Sequence, residues 1–418
     1  MANVPNIVLI MPDQQRTDSI SCYGNIFTKT PNLDRLAKTG VVFENFFTSW
    51  PICTPARATM WTGLYAHTHR IIHNRYGIDD VYEYEGGVKT TIFEALQEQG
   101  YTTAYYGKWH LGEENSGRFD IWEGFNSHGG HWEGGFGSGD QYKPEKQTDQ
   151  CIEFLKSDLA KEKPFVMVQG YYPPHNPYTA PDEFMEMYRG TGVPFPGYYA
   201  AVSALDHYTG RIMDALEEEG LRDNTIIIYF SDHGETFNYR EFMPHKYVCF
   251  EESIRVPMIV SWPAGLKAGQ RQSALTGMQD LTPTIADAMK VDMPYDMHGE
   301  SMLPLMTGEK DKLRDSYYVQ CEVRAVRTPQ RCIRTDDWKL ILSADEKHHL
   351  YNLVTDPEEE LNVFDTSEDD KHCQFGNFPD YSEKIIELAK ELRATATSLE
   401  DWQGVELAEI ILEQKKSS

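Results

Sequence analysis

Apolar residues along this chain come in two arrangements. Short unbroken runs, "NIVLIM" (6–11), "YTTAYYG" (101–107), "PFVMVQGYY" (164–172), "NTIIIYFSD" (224–232) and "RVPMIVSWP" (255–263), read as strands buried on both faces. Between them lie segments whose apolar positions recur at helical spacing: "TPNLDRLAKTG" (30–40), "TTIFEALQEQG" (90–100), "QTDQCIEFLKSDLAK" (147–161) and "YAAVSALDHYTGRIMDALEEEG" (199–220). Thr30 with Pro31 marks one helix start, and Gly40 and Gly100 mark two ends. "VVFENFF" (41–47) is a further extended run. Strand and helix in alternation predict an α/β domain with a large, mostly parallel sheet flanked by helices.

Near residue 330 the pattern changes. "RCIRTDDWKLILS" (331–343) and "KHHLYNLVTD" (347–356) read as short antiparallel strands, and "DYSEKIIELAKELRATATSLEDW" (380–402) as an amphipathic helix. The chain is therefore expected to divide into a catalytic-sized α/β domain, 1–329, and a smaller α+β domain, 330–418.

Polar clusters follow the strands. Pro12-Asp13-Gln14-Gln15-Arg16 comes after the first, Lys108-Trp109-His110 after the second, Pro174-His175-Asn176-Pro177 after the third and Asp232-His233-Gly234-Glu235 after the fourth. Singly, each has an ordinary role: an aspartate after a strand caps a turn, and a lone histidine or lysine is a solvated polar residue. In a parallel sheet, however, strand C-termini open on one edge, where ligand sites form. Together Asp13, Gln14, Asp232 and His233 offer oxygen and nitrogen donors to a divalent cation, suited to Ca2+ or Mg2+, with the imidazole admitting Mn2+. Zinc is disfavoured, because no thiolate or second histidine accompanies them.

A further stretch, "PICTPARATMWTG" (51–63), sets Cys53 just before Pro55, a residue that suits the first turn of a helix. The free amides and dipole there favour an anion, and Arg57, one turn on, adds a guanidinium for anionic oxygens. The seven cysteines (22, 53, 151, 249, 321, 332, 373) show no zinc-ribbon or disulfide spacing, so the others read as small core residues. Charge sharpens the picture: 39 basic against 65 acidic residues gives −26. Nucleic acid and anionic membrane surfaces are poor partners for such a body. An anionic substrate would need a local positive site, built from a metal and a few basic groups. The longest apolar runs are far shorter than the roughly 20 residues a bilayer requires. "MANVPNIVLIMPDQQ" has no basic leader, so a cytoplasmic location is expected, although a chain trimmed of a signal would look the same.

"CTPAR" fits the Cys-x-Pro-x-Arg signature of the type I, formylglycine-dependent sulfatases of the alkaline phosphatase superfamily, and the flanks agree. "RTDSISCYGN…TPNLDRLAKTGVVFENFF", "GYTTAYYGKWHLG", "DHGE", "HKYVCFEESIRVPMIV" and "LYNLVTDPEEELN" resemble that family's segments, in order, over most of 5–362. The resemblance implies an alkaline-phosphatase-like sheet with a small C-terminal sheet packed on it. It implies sulfate monoester hydrolysis, with Cys53 oxidised by a maturation enzyme to Cα-formylglycine. The aldehyde hydrate would be the nucleophile, and Asp13, Gln14, Cys53, Asp232 and His233 would hold one cation, Ca2+ in the first instance with Mn2+ or Mg2+ as alternatives. Arg57, Lys108 and Lys246 would offset charge on the sulfate oxygens. His175 and Lys246 would serve the departing alcohol, and His110 would deprotonate the second hydroxyl so that sulfate leaves.

Many family members carry Asp-Asp where this chain has Asp13-Gln14, and Asp-Asn where it has Asp232-His233. Similar ligands occur in the branch with phosphonate monoester hydrolases and in some bacterial sulfatases, which makes phosphonate or phosphate ester hydrolysis the alternative. A non-catalytic sulfated-glycan binder is the third reading, opposed by the full complement of site residues. A small sulfated saccharide is the expected substrate. The glycine-rich stretch 126–145, with His128, His131 and Trp132, could rim the pocket, Trp132 stacking on a sugar and His131 setting preference more than folding. Arg324, Arg327 and Arg334 are weighed as readers of a sugar carboxylate, with surface roles favoured.

Overall fold

The computed structural model describes residues 4–75, 77–85, 87–88, 90–127, 130–135, 137–239, 245–323, 328–364 and 379–417. The larger body contains strands β1 (Asn6–Asp13), β2 (Val41–Phe43), β3 (Phe46–Phe47), β4 (Thr102–Lys108), β5 (Ile121–Phe125), β6 (Phe165–Pro174), β7 (Thr225–Phe230), β8 (Met258–Ser261), β9 (Gln270–Gln272) and β10 (Thr276–Gly277). Eight of them form one sheet in the order β5-β4-β6-β1-β7-β8-β2-β9, while β3 and β10 pair separately. From β5 to β7 every pairing is parallel; β8 alone runs antiparallel to both its neighbours. The unbroken apolar runs are the inner strands, as expected for strands covered on both faces. The run 41–47 is split at Glu44 and Asn45, where Asn45 leaves the sheet to bond Ser273 O.

Alternation along β1 sets the two layers. Ile7, Leu9 and Met11 point into a core with Trp61, Phe93 and Leu281, whereas Val8 and Ile10 point into one with Leu33, Phe154 and Leu205. The helices that concern the layers and the site include α1 (Pro31–Lys38), α2 (Cys53–Thr62), α3 (Ile92–Glu98), α4 (Lys143–Lys156), α5 (Pro196–Glu218), the single turn α6 (Glu251–Ile254) and α7 (Leu281–Met289). Residues of α2, α3 and α7 fill the first layer, and those of α1, α4 and α5 the second. α3 starts on a capping box: Thr91 accepts from Phe93 N while Glu94 takes Thr91 N. α2 is different in kind, since all its residues are buried. It has no solvent face, so it can carry polar groups only where the interior satisfies them.

The C-terminal sheet is antiparallel, β11 (Tyr317–Val323), β12 (Thr328–Arg334), β13 (Trp338–Ser343) and β14 (His349–Asn352) in sequence order, so it reaches back past residue 330. Tyr317, Val319 and Cys332 pack against Phe47, Val248 and Phe250 of the larger body. Tyr318, Ile333 and Leu340 face α8 (Ser382–Ser398) and α9 (Trp402–Ser417). The sequence pattern indicates α8; α9 and β11 were not read from it. Among the described residues no helix is long and apolar enough to cross a membrane.

One buried carboxylate joins these helices to the sheet. Asp401 accepts from Arg331 Nε at 2.5 Å, Tyr318 Oη at 2.7 Å and Gln320 Nε2 at 2.5 Å. Burial raises its pKa, but these hydrogen bonds and the Arg331 charge outweigh that and bring it down to about 2. A carboxyl depressed in the fold stabilises fully above its unfolded pKa of about 3.9 and loses that contribution as pH falls towards 2. Asp401→Asn leaves Arg331 buried and unpaired, and should cost about 3–5 kcal/mol in chemical denaturation at neutral pH. The deficit should shrink as pH is lowered through that window; a deficit independent of pH would contradict this account.

Candidate active site

The polar clusters at the ends of β1, β4, β6 and β7 meet on one edge of the sheet, with the N-terminus of α2 pointing into them. Arg57 lies fully buried between two carboxylates, its Nη2 3.0 Å from Asp13 Oδ2 and its Nε 3.0 Å from Asp232 Oδ2. Its remaining nitrogen donates to Lys108 O and Trp109 O. Lys108 Nζ is 2.7 Å from the same Asp13 oxygen and stands over the Tyr172 ring at 4.2 Å. Asp232 Oδ1 accepts the backbone amides of Gln14 at 3.1 Å and His233 at 3.0 Å, tying the loops after β1 and β7 together.

Cys53 Sγ stands at the centre: 3.1 Å from His233 Nε2, 3.4 Å from Lys246 Nζ and 3.8 Å from both Asp13 Oδ1 and Lys108 Nζ. One donor atom each from Asp13, Cys53, Asp232 and His233 lies within 4.8 Å of the others. His233 Nδ1 donates to Gly234 O at 2.9 Å and Nε2 points inward, where the neutral ring would offer its lone pair to a metal. Gly234 has a steric reason to be glycine, since a Cβ would sit 2.0 Å from Glu252 O. The Gln14 oxygen faces the same place, 2.7 Å from Lys246 Nζ. Buried carboxylate, amide and imidazole donors converging in this way fit a divalent cation. Gln14 (φ 68) and His110 (φ 59) both hold left-handed backbone at this edge, strain that the surrounding contacts impose.

The charges act on one another. Burial and the Asp13 charge raise the Cys53 thiol, yet Lys108, Lys246 and His233 outweigh them and hold it well below its ordinary range. Burial likewise raises Asp13, and Lys108, His175, Arg57 and His233 pull it well down. Asp232 goes the other way, raised to about 6 by burial and then by the neighbouring Asp13 charge. Burial, together with Lys108, lowers His110 to about 4, against the opposing effect of Cys53. His175 is held well below its usual value by burial and the Lys246 charge, and its Nδ1 bonds Asn176 O at 2.8 Å. Burial lowers Lys246, but Cys53 and Asp13 raise it above its ordinary value, so it remains an ammonium.

Each described residue singled out in the sequence has a definite place. Asp13, Gln14, Cys53, Lys108, His110, His175, Asp232, His233 and Lys246 share this edge. Arg57 differs from its expected role: its donors are engaged by Asp13, Asp232 and main-chain carbonyls, so it holds the carboxylates rather than meeting a substrate oxygen. His131 is fully buried, edge-on to Tyr172 at 5.1 Å, and is not part of an open rim. Trp132 packs on Tyr142 at 4.9 Å and donates Nε1 to Thr179. Arg334 is also buried, over the Phe47 ring at 5.0 Å and 3.7 Å from Glu251. His128, Arg324 and Arg327 lie outside the described residues. The sequence reading missed Tyr172, which lies between His131 and His175 with both ring centroids at 5.1 Å. Its only signal was a second tyrosine before Pro173-Pro174-His175.

A family model described as Sulfatase matches residues 5–291, and one described as N-sulphoglucosamine sulphohydrolase, C-terminal, matches residues 240–375. The chain is 26% identical to an N-acetylglucosamine-6-O-sulfatase of Bacteroides thetaiotaomicron, covering 95% of this chain and 87% of that one. A solved structure in complex with its substrate, D-glucosamine-2-N,6-O-disulfate, superposes with a TM-score of 0.82 at 25% identity, over 95% of this chain and 98% of that chain. A phosphonate monoester hydrolase of Agrobacterium radiobacter superposes with a TM-score of 0.80 at 22% identity, over 94% of this chain and 96% of that chain, a likeness of fold.

Two substitutions test the electrostatics and packing of this edge. In protein with an unmodified thiol, Lys246→Met removes a cation 3.4 Å from Sγ and should move the Cys53 titration upward. Thiolate ultraviolet absorbance against pH measures this, and an unmoved titration would contradict the account. His131→Ala empties a packed interior position and should lower stability by roughly 2–4 kcal/mol in chemical denaturation. Native stability in that variant would return His131 to the open rim.

Proposed function

The chain belongs to the sulfatase family of the alkaline phosphatase superfamily and is a sulfuric ester hydrolase; from that premise we propose that it removes sulfate from a small sulfated saccharide, using an oxidised Cys53. The observation that carries this reading is the position of Cys53 Sγ, which touches His233 and both lysines at the N-terminal end of a wholly buried helix. The relatives support the saccharide: one is an N-acetylglucosamine-6-O-sulfatase, and another binds a glucosamine disulfate as its substrate.

A converted Cys53 would supply an aldehyde hydrate as nucleophile, and Asp13, Gln14, Asp232 and His233 would hold a divalent cation, Ca2+ in the first instance, to supply positive charge to it. Cys53 is 1% exposed, so a formylglycine-generating enzyme must act before α2 packs into the fold. Arg57 fixes Asp13 and Asp232. Lys108 and Lys246, both close to residue 53, bring positive charge to the sulfate oxygens. Lys246, held as an ammonium, donates towards the departing oxygen, and His175, whose Nδ1–H is bonded to Asn176 O, would join it as a donor only on taking a proton at Nε2. His110, neutral at neutral pH, accepts the proton from the converted side chain when sulfate is released.

Turnover of matched aryl sulfate and aryl phosphonate esters, followed by a panel of defined sulfated mono- and disaccharides, tests the proposal. The sulfate ester should be preferred, a subset of the saccharides should be desulfated, and Cys53→Ala should lower turnover by about 1,000-fold or more. Preference for the phosphonate would transfer the chain to phosphonate ester hydrolysis. Binding of sulfated sugars with no turnover by converted protein would make it a glycan binder.

A further inference from the structure

We propose that Glu235 is a positioning residue: it orients the side-chain amide of Gln14 so that the oxygen, not the nitrogen, faces the cation site, and the two residues work as a matched pair. The inference rests on the cation site proposed above. A glutamine is an ambiguous ligand, because its amide presents an acceptor on one side and two donors on the other. Turned the wrong way, Gln14 would set N–H groups against both Lys246 and a cation.

The surroundings of Glu235 remove the ambiguity. Its carboxylate is fully buried, and among the described residues its hydrogen-bond partners are all donors. Oε2 accepts from Gln14 Nε2, and from Tyr178 Oη at 2.7 Å. Oε1 accepts from Phe237 N at 2.6 Å and His245 Nδ1 at 2.9 Å. On the opposite side of the amide, Lys246 Nζ is a donor and requires the Gln14 oxygen at 2.7 Å. Both flanks therefore demand one orientation. The main chain leaves no other freedom: Tyr198 Oη donates to Gln14 O at 3.0 Å, and Arg16 Nη1 donates to Glu235 O at 2.8 Å. What remains is the side-chain flip, and Glu235 sets it.

The pairing gives a reason for glutamine at position 14. A glutamate there would meet Glu235 anion to anion in a buried place, which costs heavily unless one of them takes a proton. The consequence of Glu235→Gln follows from the donors. Phe237 N–H is fixed main chain, so the new amide must keep its oxygen there and turn its NH2 group towards Gln14 and Tyr178. The tyrosine hydroxyl can rotate to accept. Gln14 cannot answer without reversing its own amide, which brings its nitrogen round to the cation site. Exchanging the two residues, Gln14→Glu with Glu235→Gln, restores a donor facing an acceptor and leaves an oxygen towards the cation.

Calorimetric titration of metal-stripped, full-length protein with Ca2+ alone tests this without reference to turnover. The native chain should bind Ca2+, and E235Q should bind about 10- to 100-fold more weakly. The Q14E/E235Q exchange should return to native affinity or exceed it. Y178F, which removes a donor to the same carboxylate but does not touch the amide, should stay within about threefold of native. Native affinity in E235Q, no recovery in the exchange, or a loss in Y178F as large as that in E235Q would overturn the pairing. If E235Q does not fold alone, recovery of folding and Ca2+ binding in the exchange is the same rescue, and its absence refutes the proposal. Failure of the native chain to bind Ca2+ is a separate outcome, which removes the Ca2+ reading of the site and this inference with it.

Discussion

The buried bridge Asp13–Arg57–Asp232 is the contact on which the rest of the molecule depends. Each of the three side chains is inaccessible to solvent, and the guanidinium reaches one carboxylate with Nη2 and the other with Nε. A charge so placed costs several kcal/mol to leave unpaired, which makes the three positions mutually obligatory. The bridge spans three elements: the end of β1, the loop after β7 and the second turn of α2. By fixing α2 against the strand ends it determines where Cys53 stands. The side chain that in sequence looks poised to grip a substrate oxygen therefore acts earlier, by holding the carboxylates that define the site.

A second consequence concerns sign. The chain as a whole carries −26, yet the atoms nearest Cys53 Sγ include two lysine ammonium groups and an imidazole. A cluster of that kind in a dry interior exerts far more force than the same charges on a surface. The small C-terminal sheet contributes by holding the segment that carries Lys246. Val248, Cys249 and Phe250 pack on Tyr317, Val319 and Cys332, and the buried Lys339 of β13 bonds Glu251 at 2.9 Å and Glu359 at 2.5 Å. The lysine is thus held from behind by another sheet, which gives the two parts of the chain a shared role in one site.

Much of this was legible in the sequence, for a physical reason. Strands covered on both faces must be continuously apolar, so "NIVLIM" and "TIIIYF" declare themselves, and the polar residues that follow must emerge on one edge. That argument brings Asp13, Lys108, His175 and Asp232 together with no knowledge of side-chain conformation. Helix ends were similarly readable where a local rule decides them, as at Thr30-Pro31 and Gly100. What remained hidden depends on tertiary company. Nothing local tells that the Arg57 guanidinium faces carboxylates, or that a histidine in a glycine-rich stretch is wholly buried beside Tyr172. α9 escaped notice because "VELAEIILEQKK" follows directly on another helix, and β11 because its face alternation is obscured by aromatic and polar residues on both sides. Glu235 was visible as a letter after "DHG", but its use comes only from the four donors gathered around it.

The mass of the proteolytic peptide carrying residue 53, taken from a preparation that turns over sulfate ester, tests the central claim most directly. The account predicts an aldehyde at that position, the side chain having lost sulfur and two hydrogens and gained one oxygen. An active preparation in which Cys53 is entirely an unmodified thiol would contradict it.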